Sequence, residues 1–307
     1  MVTLSVVIPA TDKPATLSQV VSAIKRAAPA EEVIIIESPE QLSPAAARNL
    51  GARRARGDVV VFVDADVEVN EDAIERIRDA FEKDSSLAAI FGSYDEAPAA
   101  GGVVSDFRNL LHHHVHHQGA GVATTFWTGL GAIRRDVFLD VGGFDEEQFR
   151  RASVEDIHLG MRLHERGDRI VLDPRIQGKH LKRWTLLTMT RTDLVRRGVP
   201  WLRLVLERRH GATALNLRWR HRMSAVASLL VVVGVARRHY WFAGGALTSL
   251  IALERRFYGL LFRRGGALLV AAGVPLHVVH HLTSIAAVPI AVTRHLLGST
   301  SRRRHPR

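Results

Sequence analysis

Two carboxylates one residue apart, Asp64 and Asp66, follow an unbroken apolar run in the stretch Asp58–Val69, DVVVFVDADVEV. Hard oxygen ligands at this spacing suit Mg²⁺ or Mn²⁺, and such a cation would most naturally hold a diphosphate. Val59–Val63 has the look of a strand buried on both faces, as in a parallel sheet covered by helices. On a backbone that stays extended through Asp66, the two carboxylates point to the same side. They then lie at the carboxyl end of a strand, where ligands sit in open α/β sheets. A solvated turn after a core strand is the plainer alternative. A second acidic pair, Glu155-Asp156, opens the helix-like segment Ser153–Gly167. The helix dipole favours an ionised carboxylate there, which suits Asp156 to take a proton from a hydroxyl. Decoration of a helix start is the alternative for this pair.

Histidines form two further groups. His112, His113, His114, His116 and His117 crowd one internal stretch, where metal binding competes with the preferred reading, a polar interfacial segment. His277, His280 and His281 fall at i, i+3, i+4 on an apolar helix. Protonatable groups at membrane depth are a functional hint, and helix packing or headgroup contact explains them equally well.

The elements that must position these groups alternate. Leu4–Pro9 reads as a buried strand; Thr16 with Gln19 makes a capping box for a helix whose Leu17, Val20, Val21 and Ile24 share a stripe. Val33–Ile36 is a second strand, ending at Glu37-Ser38-Pro39. Ser43-Pro44 starts another helix, which Gly57 stops. After the Val59–Asp66 strand, Asn70 caps a helix that turns Ile74, Ile77 and Phe81 inward. Leu87–Gly92 is a further strand, and Ala97–Gly102 a loop. The pattern is irregular beyond it, through the histidine-rich Leu111–Gln118, until Arg169–Leu172, a strand that Pro174 breaks. This alternation predicts an α/β fold with a doubly wound, mostly parallel sheet.

The 307 residues leave room for one good-sized domain and something smaller. Without cysteine, no disulfide or thiolate metal site can form, which fits a reducing compartment. Met1–Pro9 reads as a strand and not as a basic leader, so no signal peptide is expected. Charge is unevenly spread. Residues 1–180 carry 20 Lys+Arg against 28 Asp+Glu, and residues 181–307 carry 22 against 3, so −8 and +19 make up the net +11. Nucleic acid and anionic membrane are the partners such a basic half could take. Long Leu/Val/Ala stretches between its Arg clusters favour the membrane and speak against nucleic acid.

Four ordered blocks carry a resemblance: SVVIPA, ARNLGARRARGDVVVFVDAD, TGLGAIRRDVFLDVGGFDE and SVEDIHLGMRLHERGDRIVLDP. Over roughly residues 3–184 the chain resembles a family 2 glycosyltransferase, an inverting enzyme with a GT-A-like nucleotide-binding α/β domain. The resemblance implies that Pro9 and Glu37 line the base and ribose pocket, that Asp64 and Asp66 hold a divalent cation and the diphosphate, and that Asp156 is the base. One departure is that the second strand often ends Asp-Asp-Gly-Ser in this family, whereas here it ends Glu37-Ser38-Pro39. His180-Leu181-Lys182-Arg183-Trp184 partly matches the QxxRW motif of cellulose synthase-like members, with His180 in the place of Gln. By that likeness Arg183 and Trp184 face the acceptor; Glu155 is expected on the acceptor side as well, and His180 is alternatively a further metal ligand, since imidazole suits Mn²⁺. An amphipathic group at a membrane interface is the competing reading of this stretch.

Residues 185–222 read as an amphipathic, Arg-rich interface segment. Met223–Ala236 and Tyr240–Leu253 are apolar pieces of 14 residues each, short of the roughly 20 needed to span and open to a tight or re-entrant hairpin, and Gly265–Val292 is long enough to span. The expected domains are therefore 1–184 (catalytic), 185–222 (interface), 223–297 (membrane helices, two or three crossings) and 298–307 (basic tail). The expected protein is an integral membrane glycosyltransferase with its catalytic domain on the cytoplasmic side. It takes a nucleotide-sugar donor, a lipid or polyprenyl phosphate acceptor, and Mn²⁺ or Mg²⁺. A processive polysaccharide synthase and a non-catalytic membrane scaffold of the same fold are the alternatives.

Overall fold

The computed structural model describes residues 1–40, 42–208, 215 and 218–303, with 298–303 described by backbone alone. The chain divides into two compact units, Met1–Gly101 with His112–Arg183, and Gly102–Leu111 with Trp184–Arg307.

The first unit holds β1 (Leu4–Pro9), α1 (Leu17–Ala27), β2 (Glu32–Ile36), α2 (Pro44–Arg54), β3 (Val59–Val63), β4 (Val67–Val69), α3 (Ala73–Lys83) and β5 (Leu87–Tyr94). After α4 (Val103–Gln118), which contributes to both units, come β6 (Gly121–Ala123), β7 (Leu130–Arg134), α5 (Arg135–Asp140), α6 (Glu155–Glu165) and β8 (Arg169–His180). One sheet runs β2-β1-β3-β7-β5-β8-β4, with β6 beside β8. β1 lies parallel to β2 and β3, and β5 parallel to β8, while β7 runs antiparallel between β3 and β5. The expected α/β class is borne out. Each of the five side chains of β3 is fully buried. At about 1.5–3 kcal/mol for each large apolar side chain, that burial pins the register of the strand and with it the position of Asp64.

Several local expectations are corrected. The backbone is not extended through Asp66, because Val67 N–H donates to the Asp64 carbonyl at 2.9 Å and closes a tight turn. The turn is needed because β3 pairs with β1 and β7, whereas β4 pairs with β8. Thr16 does not cap α1; its hydroxyl donates to the Ala65 carbonyl at 2.6 Å, and the Gln19 amide donates to Glu68 at 2.7 Å. Both side chains thus tie α1 to the acidic turn. Asp72, not Asn70, precedes the first residue of α3, and no side chain caps it. Pro174 does not end β8. The register against β5 jumps from Phe91↔Leu172 to Ser93↔Gln177, so Pro174 sits in a bulge where no ladder N–H is required.

The histidine-rich stretch is not the polar interfacial segment expected either. It is the second half of α4, where His113, His114 and His116 are buried. His113 Nδ1 and His116 Nδ1 lie 2.8 Å from the Tyr94 and Gly92 carbonyls of β5. A ring nitrogen that meets a strand-end carbonyl lets an imidazole be buried without an orphaned polar atom.

In the second unit, α7 (Leu186–Arg191) leads through a π-helical turn, Thr192–Gly198, into α8 (Val199–Arg208). Its chain continues in α9 (Trp219–Ala236), α10 (Tyr240–Leu253) and α11 (Arg255–Arg303), the last interrupted by non-helical backbone at Gly265 and Gly266. Met189, Val199, Trp201 and Leu204 are buried, so the segment after residue 184 is packed as well as amphipathic. Asp193, in the π-helical turn, is held by Arg108 at 2.6 Å and by His280 at 2.8 Å. Burial alone would push that carboxyl up, but Arg108 and His280 outweigh it and hold it well below the usual carboxylate range. Among the described residues one helix, Arg255–Leu297, is long and apolar enough to cross a membrane. Parts of two expected segments, 209–214 with 216–217 in the interface segment and 304–307 in the basic tail, lie outside the described residues.

Candidate active site

The site is built in the first unit from the ends of five elements. β1, β2 and β3 are parallel neighbours in register, with Pro9 opposite Ile36 and Val7 opposite Phe62. Their carboxyl ends therefore place Pro9, Glu37 and Asp64 along one edge, with Glu37 exposed. β7 runs back along β3, and Asp64 N–H donates to the Gly129 carbonyl at 3.2 Å. The segment Thr128-Gly129 is thereby laid beside the acidic turn. A Cβ on Gly129 would strike the Trp127 ring, so this close fold-back requires glycine.

The same segment reaches the start of α6. Thr128 N–H points to Asp156 Oδ2 at 3.4 Å, and Asp156 Oδ1 accepts from Ile157 N–H at 2.8 Å. Gly160 lets α6 lie directly against the backbone of Thr125 and Phe126, where any Cβ would collide. These contacts bring Asp156 and Asp64, 92 residues apart in sequence, to the two sides of one short loop.

Arg48 completes the frame. Its guanidinium donates to Asp64 Oδ1 at 2.6 Å and to Glu155 Oε1 at 3.0 Å. It lies on α2, which Ser43 caps through Ala46 N–H with Pro44 at the first turn. Burial alone would lower the basicity of Arg48. Asp64 and Glu155, and then Asp156, outweigh burial and raise it above the ordinary arginine value. Sequence reasoning passed over this residue, although a signal was present. Ala45, Arg48, Asn49 and Ala52 fall at i, i+3, i+4 and i+7, so one arginine of the block sits on the inward stripe, and a buried charge needs partners.

On the other flank His180 Nε2 stands 3.6 Å from Asp66 Oδ2, just beyond hydrogen-bond length. The His180 ring stacks on Tyr94 at 4.2 Å and 11°. Burial would push the Asp66 carboxyl up, but His180 and then Lys182 hold it below its ordinary value. Asp64, Asp66 and His180 do not converge as a closed metal cage, and among the described residues no three His, Asp or Glu side chains do. The reason is geometric: Asp64 is engaged by Arg48, while His180 pairs with Asp66. Glu155 is 5% exposed and faces Arg48 rather than open space. Arg183 is exposed at the end of the first unit. Trp184 is no open stacking platform: it is buried within the second unit, its ring under the Arg108 guanidinium at 5.6 Å.

Residues 24–142, which hold Arg48, the acidic turn and the Thr128-Gly129 loop, match the model of glycosyl transferase family 2. Over this stretch the chain is similar to the family 2 glycosyltransferases. Over 175 residues it is 26% identical to the poly-beta-1,6-N-acetyl-D-glucosamine synthase of Staphylococcus aureus. That match covers 55% of this chain and 40% of the synthase, so the chain spans less than half of its relative's length. A mannosyltransferase from Pyrobaculum calidifontis, solved with GDP-Man and Mn²⁺, shares the fold at a TM-score of 0.55 and 13% identity. The superposition covers 94% of this chain and 86% of that one. The matched stretch lies in the mixed α/β sheet described above.

Proposed function

We propose that the protein is an inverting glycosyltransferase that moves a sugar from a nucleoside-diphosphate-sugar to a membrane-associated acceptor, a lipid or polyprenyl phosphate. The observation that carries this reading is the frame in which Arg48 joins Asp64 to Glu155 while Thr128-Gly129 joins Asp64 to Asp156. Donor-side and acceptor-side carboxylates are thereby held on one scaffold.

The donor set fits a hard divalent cation. Asp66 with His180, and Asp64 beside them, offer too few ligands for a cage, but Mg²⁺ and Mn²⁺ sites commonly use one or two carboxylates and take the remaining oxygens from phosphate and water. When bound, the cation would supply Lewis-acid charge to the departing diphosphate. Arg48 fixes one Asp64 oxygen and leaves the carboxylate oriented. Pro9 and Glu37, on the same edge, would line the pocket for base and ribose. Asp156, oriented by the N–H groups of Thr128 and Ile157, would take the acceptor proton. Glu155 would act through Arg48, as a positioning residue.

Membrane attachment is supported by the apolar helix Arg255–Leu297 and by the +19 charge of residues 181–307. A processive polysaccharide synthase is the second reading, favoured by the match to the Staphylococcus aureus synthase. The test is titration of detergent-purified full-length protein with UDP-, GDP- and dTDP-sugars in Mn²⁺ or Mg²⁺, followed by transfer to lipid extracts. Cation-dependent binding of one donor and a glycosylated lipid are expected. Failure of every donor to bind with either cation rejects the reading, and a growing polymer selects the second one.

A further inference from the structure

Within the second unit α9 and α10 form a close antiparallel hairpin. Gly234 packs so tightly on Ala243 that a Cβ would approach it at 3.0 Å, and Ser224, Ala227, Ala246 and Leu250 are buried. Its outer faces are the reverse of a soluble surface. Val226, Leu229, Val232, Val233, Val235, Phe242 and Ile251 are all exposed. Two tryptophans mark its ends: Trp219, 71% exposed, at the open end, and Trp241, 97% exposed, just past the turn. The turn itself is Arg237-Arg238-His239, and all three are exposed.

Charge points the same way. Glu254 is the last acidic residue of the chain, and it is turned inward, 2.7 Å from Ser224 and 3.5 Å from Arg220 at the hairpin's open end. Glu254 apart, every acidic or basic side chain from residue 208 onward is an arginine, with histidine neutral. At about 1.5 Å per residue the 18 residues of α9 measure about 27 Å and the 14 residues of α10 about 21 Å, against the ~30 Å hydrocarbon thickness of a bilayer. Exposed tryptophan and arginine at both ends of such a length match the two interfaces of a membrane, where indoles and snorkelling guanidinium groups reach the phosphates.

We propose that the α9–α10 hairpin crosses an anionic bilayer, with Trp219 and the Arg220–Glu254 pair at one headgroup layer and Arg237, Arg238 and Trp241 at the other. This deepens the membrane attachment proposed above and rests on it. The hairpin falls short of a standard span because each apolar piece is interrupted early by arginine, so its tip reaches the far layer by snorkelling and local thinning. No partner protein is needed to cover its faces, since acyl chains do so.

The cysteine-free chain makes a direct test possible. A double variant, R237C/R256C, carries one thiol at the turn and one at the open end, both at exposed positions. Full-length protein is reconstituted in sealed phosphatidylcholine/phosphatidylglycerol vesicles, treated with a membrane-impermeant maleimide and weighed by intact-mass spectrometry. Whatever the mixture of orientations, a crossing hairpin yields one label per molecule, and two after detergent. A population with either two labels or none means that both ends face one side, and overturns the proposal. Molecules labelled only at position 256 or not at all place the turn inside the hydrocarbon and also overturn it. A carbonate wash separates the two levels. Vesicle-bound protein with a failed labelling pattern refutes the crossing alone, while protein released by carbonate refutes the attachment as well.

Discussion

Arg48 Nη2 meets Asp64 Oδ1 at 2.6 Å, and the same guanidinium, 4% exposed, donates to Glu155 at 3.0 Å. One cation thus links the acidic turn after β3 to the first residue of α6. Replacing it with an apolar side chain would leave the buried Glu155 carboxylate without its cation, and the half-buried Asp64 without its anchor. Loss of one partner from a buried ion pair costs on the order of 3–5 kcal/mol. Arg48→Met should therefore lower the thermal midpoint by several degrees and abolish turnover. Arg48→Met/Glu155→Gln should recover part of the stability but not the activity. A single variant as stable as the parent in calorimetry would show that the frame rests on other contacts.

Asp66 is expected to govern donor binding through the cation. Asp66→Ala removes a half-exposed side chain from a turn that the backbone bond from Val67 to Asp64 still closes. The fold should therefore persist by circular dichroism while Mn²⁺-dependent nucleotide affinity falls at least tenfold in calorimetric titration. Unchanged affinity, in this variant or in excess chelator, would remove Asp66 from the donor site.

Asp156→Asn keeps the shape of the side chain and removes its basicity. A positioned base contributes on the order of 10²–10⁴-fold when a hydroxyl attacks, and little when the acceptor is already an ionised phosphate. Donor binding should be unchanged in both cases. A collapse in turnover points to a hydroxyl acceptor, and a loss below about tenfold points to a phosphate. Loss of donor binding would move Asp156 to the donor pocket.

Glu32 offers a pH signature for the edge of the sheet. Its carboxylate accepts from Ser5 Oγ at 2.6 Å and from Arg56 N–H and Nε at 2.9 Å each. The Ser5 hydroxyl bond, opposed by burial and aided by Arg56, holds the group below its ordinary value. A lowered folded value means stability that is present above the unfolded value, about 4.3, and is lost as pH falls through the folded one. Glu32→Gln should cost about 1 kcal/mol near pH 7, a figure already reduced for solvent screening. In urea denaturation the difference should shrink towards zero in strong acid. A penalty that stays constant down to that pH would mean that packing, not charge, is lost.

Short-range physics made much of this chain legible. Five consecutive apolar residues read as a strand covered on both faces, and the order of the blocks around it carried the family resemblance. Asp64, Asp66 and Asp156 were visible because carboxylates at a strand end or helix start are conspicuous locally. Tertiary structure alone decided what those carboxylates touch. The turn at Asp64–Asp66 arises because β3 and β4 belong to different strand pairs, and no local pattern announces pairing with β8, more than 100 residues away. Thr16 abandons its helix cap because a backbone carbonyl, Ala65, arrives from another element. The histidines of α4 read as a polar interfacial segment in sequence, because nothing local announces the β5 carbonyls that meet the ring nitrogens of His113 and His116. Arg48 is the clearest case: its place on the inward stripe of α2 follows from helical periodicity, whereas its two partners, 16 and 107 residues away, are brought to it only by folding. Periodicity is a property of neighbours along the chain, but the partner of a buried charge is chosen by the long-range packing that excludes water around it.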